Sequence, residues 1–352
     1  MGIHITGVGS CIPSHTERNK DFINHTFMSE DGSLFSSENS EIIEKFEAIT
    51  GIEERRYAKP DQVTSDLAYI ASEKAIVDAA IDAETLDYII VAHNFGDIQH
   101  GCIQTEMLPS LATRVKHKLG IKNPNCVAYD VIFGCPGWVE GVIQAQAFIK
   151  AGMAKRCLVV GADTLSRIAD PNDRDSMIFA DGAGATIIEE TDKAGGILSH
   201  CTQTYSEDEA FFLYSGKSYN TEANPSDKYI KMYGRKVYEF AISHVPQALK
   251  DCLDASGEEI SSLNKVFIHQ ANEKMDEAIV KRFYRLYRFN QPENVLPISI
   301  HKLGNSSVAT VPTLLDLVKQ KKIDGHTIQH GDVALFASVG AGMNINAFSY
   351  KF

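Results

Sequence analysis

One of the chain's seven cysteines, Cys135, stands in a setting that could do chemistry. It follows the apolar run 126–133 (CVAYDVIF) and Gly134, and it precedes Pro136. Proline suits the first position of a helix, where its missing N–H leaves nothing unsatisfied. The spacing therefore places the thiol at a helix N-terminus, where the macrodipole favours a thiolate. A thiolate is the form that attacks a carbonyl carbon. A buried cysteine that merely precedes a helix fits the same local sequence. His269 closes the run VFIH and is followed by Gln-Ala-Asn and a helical pattern. The C-terminal end of such a strand is where open α/β sheets place their sites. A packing histidine fits there equally, and the eleven other histidines show no metal-ligand spacing. Asn305 lies in the polar segment HKLGNSS before another helical pattern, where by itself it reads as a cap or turn residue.

The elements that must position these residues have compact strand-then-helix grammar. Strands are expected within MGIHITGVGSCIPS, where a first strand enters a Gly/Pro turn, and at 88–93, 126–133, 156–161 and 185–188, with a helix over 137–150 stopped by Gly152. The second half repeats the pattern: helices at 233–253, 273–287 and 308–320, and strands at 265–268 and 333–338. Alternation of this kind implies a mostly parallel sheet flanked by helices. Two similar α/β halves result, 1–190 carrying Cys135 and 191–352 carrying His269 and Asn305. Two polar stretches, 29–40 and 205–228, read as surface insertions.

Composition bounds the rest. With 44% hydrophobic and 23% charged residues, a packed globular core is expected. No apolar run reaches the roughly 18–20 residues of a membrane helix, and the first residues lack the pattern of a signal peptide. A cytoplasmic protein without membrane contact is the expectation. The odd cysteine count, with no C-x-x-C, argues against a disulfide framework or a structural zinc site. A net charge of −12 argues against nucleic-acid binding. Against that acidity, Lys274, Lys281, Arg282, Arg285 and Arg288 crowd one helix. They form either a docking patch for an acidic partner or a solvated helix face.

VIFGCPGW, HQAN and LGNSS, in this order, resemble the Cys–His–Asn signatures of the β-ketoacyl-acyl-carrier-protein synthase III family. The separations fit as well: 134 positions from Cys135 to His269 and 36 from there to Asn305. GVGSCIP, TGIEERR, DPNDR, FADGAGA and SVGAGMNINAF fall in the same family order, so the resemblance spans nearly the whole chain. It implies a thiolase fold, α/β in class, with pseudo-duplicated halves in an α-β-α-β-α layering, and a homodimer in which residues 95–110 complete the partner's pocket. It also implies a ketosynthase: Cys135 is acylated, and His269 and Asn305 hydrogen-bond a second thioester in a Claisen-type condensation. Substrates would ride on coenzyme A or acyl carrier protein, with no other cofactor and no metal. The amide of Cys135 and one from Gly340, Ala341 and Gly342 would form the oxyanion hole. The family carries three glycines there, and Ala341 is tolerable only at negative φ. Asp181 and Gly182 read as turn structure behind the site.

Three departures accompany the resemblance. The family's Trp and Arg that hold adenine correspond to Lys45 and Ile49, which weakens the case for priming by free coenzyme-A esters, although Arg174 remains available to a nucleotide or phosphate. Trp138 stands where Phe is common, either reshaping the acyl pocket or packing the helix. Glu106, 29 positions before Cys135, matches where some thiolase-fold relatives bring a basic glutamate. The missing adenine clamp and the two insertions favour a specialised role, of the dialkylresorcinol-forming or aryl-polyene-associated type, over fatty-acid initiation. A thioester hydrolase or acyltransferase on the same scaffold, and a non-catalytic partner subunit, are the alternatives.

Overall fold

The computed structural model describes residues 2–352. Nine strands form two sheets: β1 (Gly2–Cys11), β2 (Tyr88–His93), β3 (Val127–Ile132), β4 (Arg156–Thr164), β5 (Asp181–Thr191), β6 (Gly196–Thr204), β7 (Leu263–Ile268), β8 (Val333–Gly340) and β9 (Asn344–Lys351). The helices are α1 (Asn39–Thr50), α2 (Thr64–Ala79), α3 (Leu111–Lys118), α4 (Gly137–Lys150), α5 (Gly234–Ser256), α6 (Glu273–Leu286), α7 (Ile300–Leu303) and α8 (Thr310–Lys319). The first sheet has order β1-β5-β4-β2-β3 and the second β6-β9-β8-β7.

Both sheets are mixed rather than mostly parallel. Only β4/β2, β2/β3 and β7/β8 run parallel. The reason lies in the connections. A parallel pair needs a long crossover, whereas antiparallel strands can be joined tightly. One 3-10 turn, Ala341–Met343, joins β8 to β9. β4 returns as β5 through residues 165–180, which hold two 3-10 turns, Leu165–Arg167 and Arg174–Ile178, and no α-helix to carry the chain across the sheet. FADGAGA is correspondingly strand: Asp181 and Gly182 begin β5, paired with Thr164 and Asp163. Its small residues are required by close packing. A Cβ on Gly184 would lie 2.6 Å from Pro312 Cγ, at the start of α8.

Helices α4 and α8 are sandwiched between the sheets. Trp138, Val139 and Val142 of α4 and Val311, Leu314 and Leu315 of α8 share one core with both. Each such side chain, buried, contributes about 1.5–3 kcal/mol. Trp138 is 1% exposed and packs against Phe336 and Phe348, with its Nε1 donating to Thr186 Oγ1 at 3.2 Å. It therefore holds the helix and does not shape the pocket. α2 and α3 cover the outer face of the first sheet, and α5 and α6 that of the second. The five layers are α-β-α-β-α.

The second polar stretch is more ordered than a surface loop. Leu213–Gly216 pairs antiparallel with Tyr229–Met232. Lys231 anchors this hairpin: it is 1% exposed, with Nζ 2.6 Å from Asp170 Oδ2 and 2.9 Å from Asp173 Oδ2. A buried cation is tolerable only with such partners.

Candidate active site

β3 and α4 meet at Gly134-Cys135-Pro136. Gly134 has φ 70°, and a Cβ there would sit 2.9 Å from the amide of Ala341. Opposite, a Cβ on Gly340 would fall 2.6 Å from the amide nitrogen of Cys135. Both glycines are thus demanded by the approach of the β8–β9 turn to the thiol. The amide of Cys135 donates to no protein acceptor among the described residues. Ala341 has no positive φ, and Gly342, at 76°, takes the left-handed position. Met343 follows at φ 46°, a strained conformation for its type.

HQAN divides into separate tasks. The amide of His269 continues the sheet by donating to the Ala337 carbonyl at 2.9 Å. Gln270, fully buried, donates to the Pro297 carbonyl and accepts from the amides of Ser299 and Ile300. Asn272 caps α6 by accepting from the Met275 amide at 3.0 Å. Gln270 thereby fixes the segment leading to α7 and Asn305. Asn305 is held to residues 178–180 by two main-chain hydrogen bonds of 3.0 and 2.8 Å. Its Oδ1 accepts from the Ser307 amide at 2.8 Å.

Cys135, His269 and Asn305 line one cavity of about 530 Å³, together with Gly340 and Ala341. Burial pushes the Cys135 thiol up to about 12, partly opposed by the Ser307 hydroxyl, which lies 3.4 Å from Sγ. The helix N-terminus also works against burial. Burial likewise pulls the His269 imidazole down to about 4. The resting pair is thiol and neutral imidazole, not an ion pair. His269 Nδ1 is buried without a hydrogen-bond partner.

Several cavity residues carry no signal in the sequence reading. Asn94, after β2, bridges Asp163 and Ser307. Phe35 stands under the Arg174 guanidinium, 5.0 Å from ring centroid to Cζ, and both line the cavity. An aromatic within the polar stretch 29–40 was the available clue. Lys45 and Ile49 also line it. Glu106 does not; it is exposed and lies 3.5 Å from Arg114. Asp181 serves structure, accepting from the amides of Ala58 and Ser166. Lys274, Lys281, Arg282 and Arg285 are exposed along α6. No helix among the described residues is long and apolar enough to cross a membrane.

A cysteine at the head of a central helix, sharing a cavity with a histidine and an asparagine from the other half of the molecule, is the arrangement of the thiolase-fold condensing enzymes. Residues 129–206 match the family model for 3-oxoacyl-[acyl-carrier-protein] synthase III, and residues 253–352 match its C-terminal model. The chain is 34% identical over 349 residues to β-ketoacyl-[acyl-carrier-protein] synthase III 1 of Vibrio vulnificus, covering 99% of each. Among solved structures it matches the synthase III of Thermus thermophilus at 28% identity and TM-score 0.82, covering 99% of both chains. The priming β-ketosynthase of the R1128 polyketide pathway matches at 25% identity and TM-score 0.82, over 100% of this chain and 96% of that one. The chain belongs to the 3-oxoacyl-[acyl-carrier-protein] synthase III family and is an acyl-transferring ketosynthase.

Proposed function

We propose that Cys135, His269 and Asn305 are the catalytic residues of this ketosynthase. The observation that carries the assignment is their convergence on one cavity beside an unpaired Cys135 amide. Sγ attacks the carbonyl of a donor thioester, the donor's carbon–sulfur bond breaks, and its thiol leaves with the proton. The Cys135 amide and one from residues 340–342 receive the oxyanion. A malonyl-type thioester, by breaking its C–C bond and releasing CO2, or a β-keto thioester, by giving up its α-proton to water, then supplies a carbanion. The Asn305 amide group and neutral His269 stabilise the charge on its thioester oxygen while it attacks acyl-Cys135 and releases the free thiol.

At least one substrate is bound to acyl carrier protein. Arg174 is already stacked on Phe35, and Lys45 and Ile49 offer no aromatic platform to an adenine. The exposed cations of α6 suit an acidic carrier. The working unit is a homodimer: β3 is an edge strand with Val127 and Ile132 exposed, and Leu108 nearby in sequence is 93% exposed. Residues 95–110 then serve the partner's cavity, Glu106 among them.

Intact-protein mass spectrometry tests the reading. Incubation with acyl-coenzyme A or acyl carrier protein gives a mass gain that Cys135→Ala abolishes. Adding a malonyl thioester discharges it as a β-keto product. Release of free acid without a second substrate makes the protein a hydrolase instead.

A further inference from the structure

The cluster behind Cys135 has a direction. Asp163, at the end of β4, is 1% exposed. Its Oδ1 accepts the main-chain N–H of Asn94 at 2.8 Å, and its Oδ2 accepts Asn94 Nδ2 at 2.6 Å. These two bonds fix which end of the Asn94 side chain is the amide nitrogen. The second hydrogen of that nitrogen goes to Ser307 Oγ at 2.8 Å. The oxygen of Ser307 is therefore an acceptor on the Asn94 side. The Ser307 hydroxyl donates to Cys135 Sγ, 3.4 Å away, and the Asp163 carboxylate, which keeps acceptor capacity beyond its two bonds from Asn94, competes for the same proton until the thiolate forms. Ser307 itself has φ 56° and is 2% exposed, so its hydroxyl is held against backbone strain.

We propose that the Ser307 hydroxyl is a catalytic residue's donor to the Cys135 sulfur, and that Asn94, oriented by Asp163, is the positioning residue that aims it. The inference rests on Cys135 being the nucleophile. An amide cannot pass a proton along, so this is not a proton relay. It is a donor aimed at the charge that forms when the thiol ionises. Hydrogen bonds to a charged acceptor are about twice as strong as neutral ones, so the contact strengthens as the thiolate appears.

Alkylation of Cys135 by iodoacetamide reads this step without any acyl substrate. A thioether forms, iodide leaves, and the rate follows the thiolate fraction. The titratable groups facing the cluster are Asp163, His269 and, behind Asp163, His93. Burial holds Asp163 up at about 6 and His269 down at about 4. Burial pushes the Cys135 thiol itself up to about 12, so below that value the rate climbs with pH along the thiolate fraction. Ser307→Gly keeps the positive φ and removes only the donor. The expected result is a rate about tenfold lower at pH 8, with the climb moved to higher pH. Asn94→Ala should give part of this loss alone and add nothing in the Ser307→Gly background. An unmoved pH profile in Ser307→Gly overturns the donor role. Additive losses overturn the positioning role of Asn94. Absence of Cys135 alkylation in the parent enzyme at any pH overturns the underlying nucleophile assignment, a separate outcome.

Discussion

The amide of Ser307 donates to Oδ1 of Asn305 across 2.8 Å, and this bond leaves the Asn305 Nδ2 hydrogens for the cavity. Neutral His269 has a single N–H, for which the Ser307 main chain is a second acceptor. Both groups are therefore donors, suited to a developing oxyanion rather than to removing a proton from Cys135. His269→Ala and Asn305→Ala are each expected to lower condensation by about 10²–10³-fold, the usual loss for one oxyanion donor. Single-turnover acylation should change far less. Equal collapse of the two half-reactions in a rapid-quench comparison would show that the roles are not divided in this way.

Gly304, one residue earlier, has φ 64° and ψ −162°, a region that glycine alone occupies readily. A Cβ there would lie 2.8 Å from Arg55 Cβ. Arg55 cannot yield easily: it is fully buried, with its guanidinium bonded to the Met177 carbonyl and Asn19 Oδ1. Gly304→Ala is expected to cost about 1–3 kcal/mol in stability and to displace Asn305, lowering condensation, and to lower iodoacetamide labelling of Cys135 to the extent that Ser307, bonded to Asn305 Oδ1, moves with it. Thermal unfolding and the two assays, run on one preparation, check this. A variant of parental stability and full activity contradicts it.

Asp276 on α6 is fully buried, and neither carboxyl oxygen has a hydrogen-bond partner among the described residues. Burial raises its carboxyl well above the usual range, with Glu273 and Glu277 adding to the effect. A folded-state value above the unfolded one stabilises fully below the unfolded pKa of about 3.9 and fades as pH rises towards the folded value. Asp276→Asn removes that titration. The variant is expected to match the parent in Tm at pH 4 and exceed it at pH 8. A lower Tm than the parent at pH 8 would mean the carboxylate has a partner when ionised.

Much of the site could be read in advance because its residues are tied to local punctuation. Gly134 and Pro136 mark the turn that carries Cys135, Asn272 marks the start of α6, and Gly304 marks the bend before Asn305. Strand β2 and helix α4 run over the expected residues for the same reason. What escaped the sequence reading depends on long-range pairing. Asn94 gains its meaning only from Asp163 and Ser307, 69 and 213 positions away. Lys231 looks like a surface lysine until Asp170 and Asp173 close on it. The mixed sheets escaped because hydrophobic period reports burial of a strand and not its direction.

The cations of α6 bear on the donor. Lys281 and Arg285 are one turn apart and exposed, and Arg282 between them gives its Nη1 to the Ile242 carbonyl at 2.9 Å. On a chain of net charge −12 this is a local reversal of sign. Exposed pairs are worth little in affinity, yet a cluster facing an acidic carrier raises the rate of encounter. The effect must fade once the Debye length shrinks to about 8 Å at physiological ionic strength. Coenzyme A carries no protein surface and gains nothing from the patch beyond its phosphates. Lys281→Glu combined with Arg285→Glu is therefore expected to lower kcat/KM for the carrier-bound substrate by about tenfold at low salt, with a smaller loss at high salt. The matching coenzyme-A ester should react at the parental rate. Steady-state comparison of both donors at two ionic strengths measures this. A salt-insensitive carrier reaction, or equal losses for both donors, returns the patch to an ordinary solvated helix face.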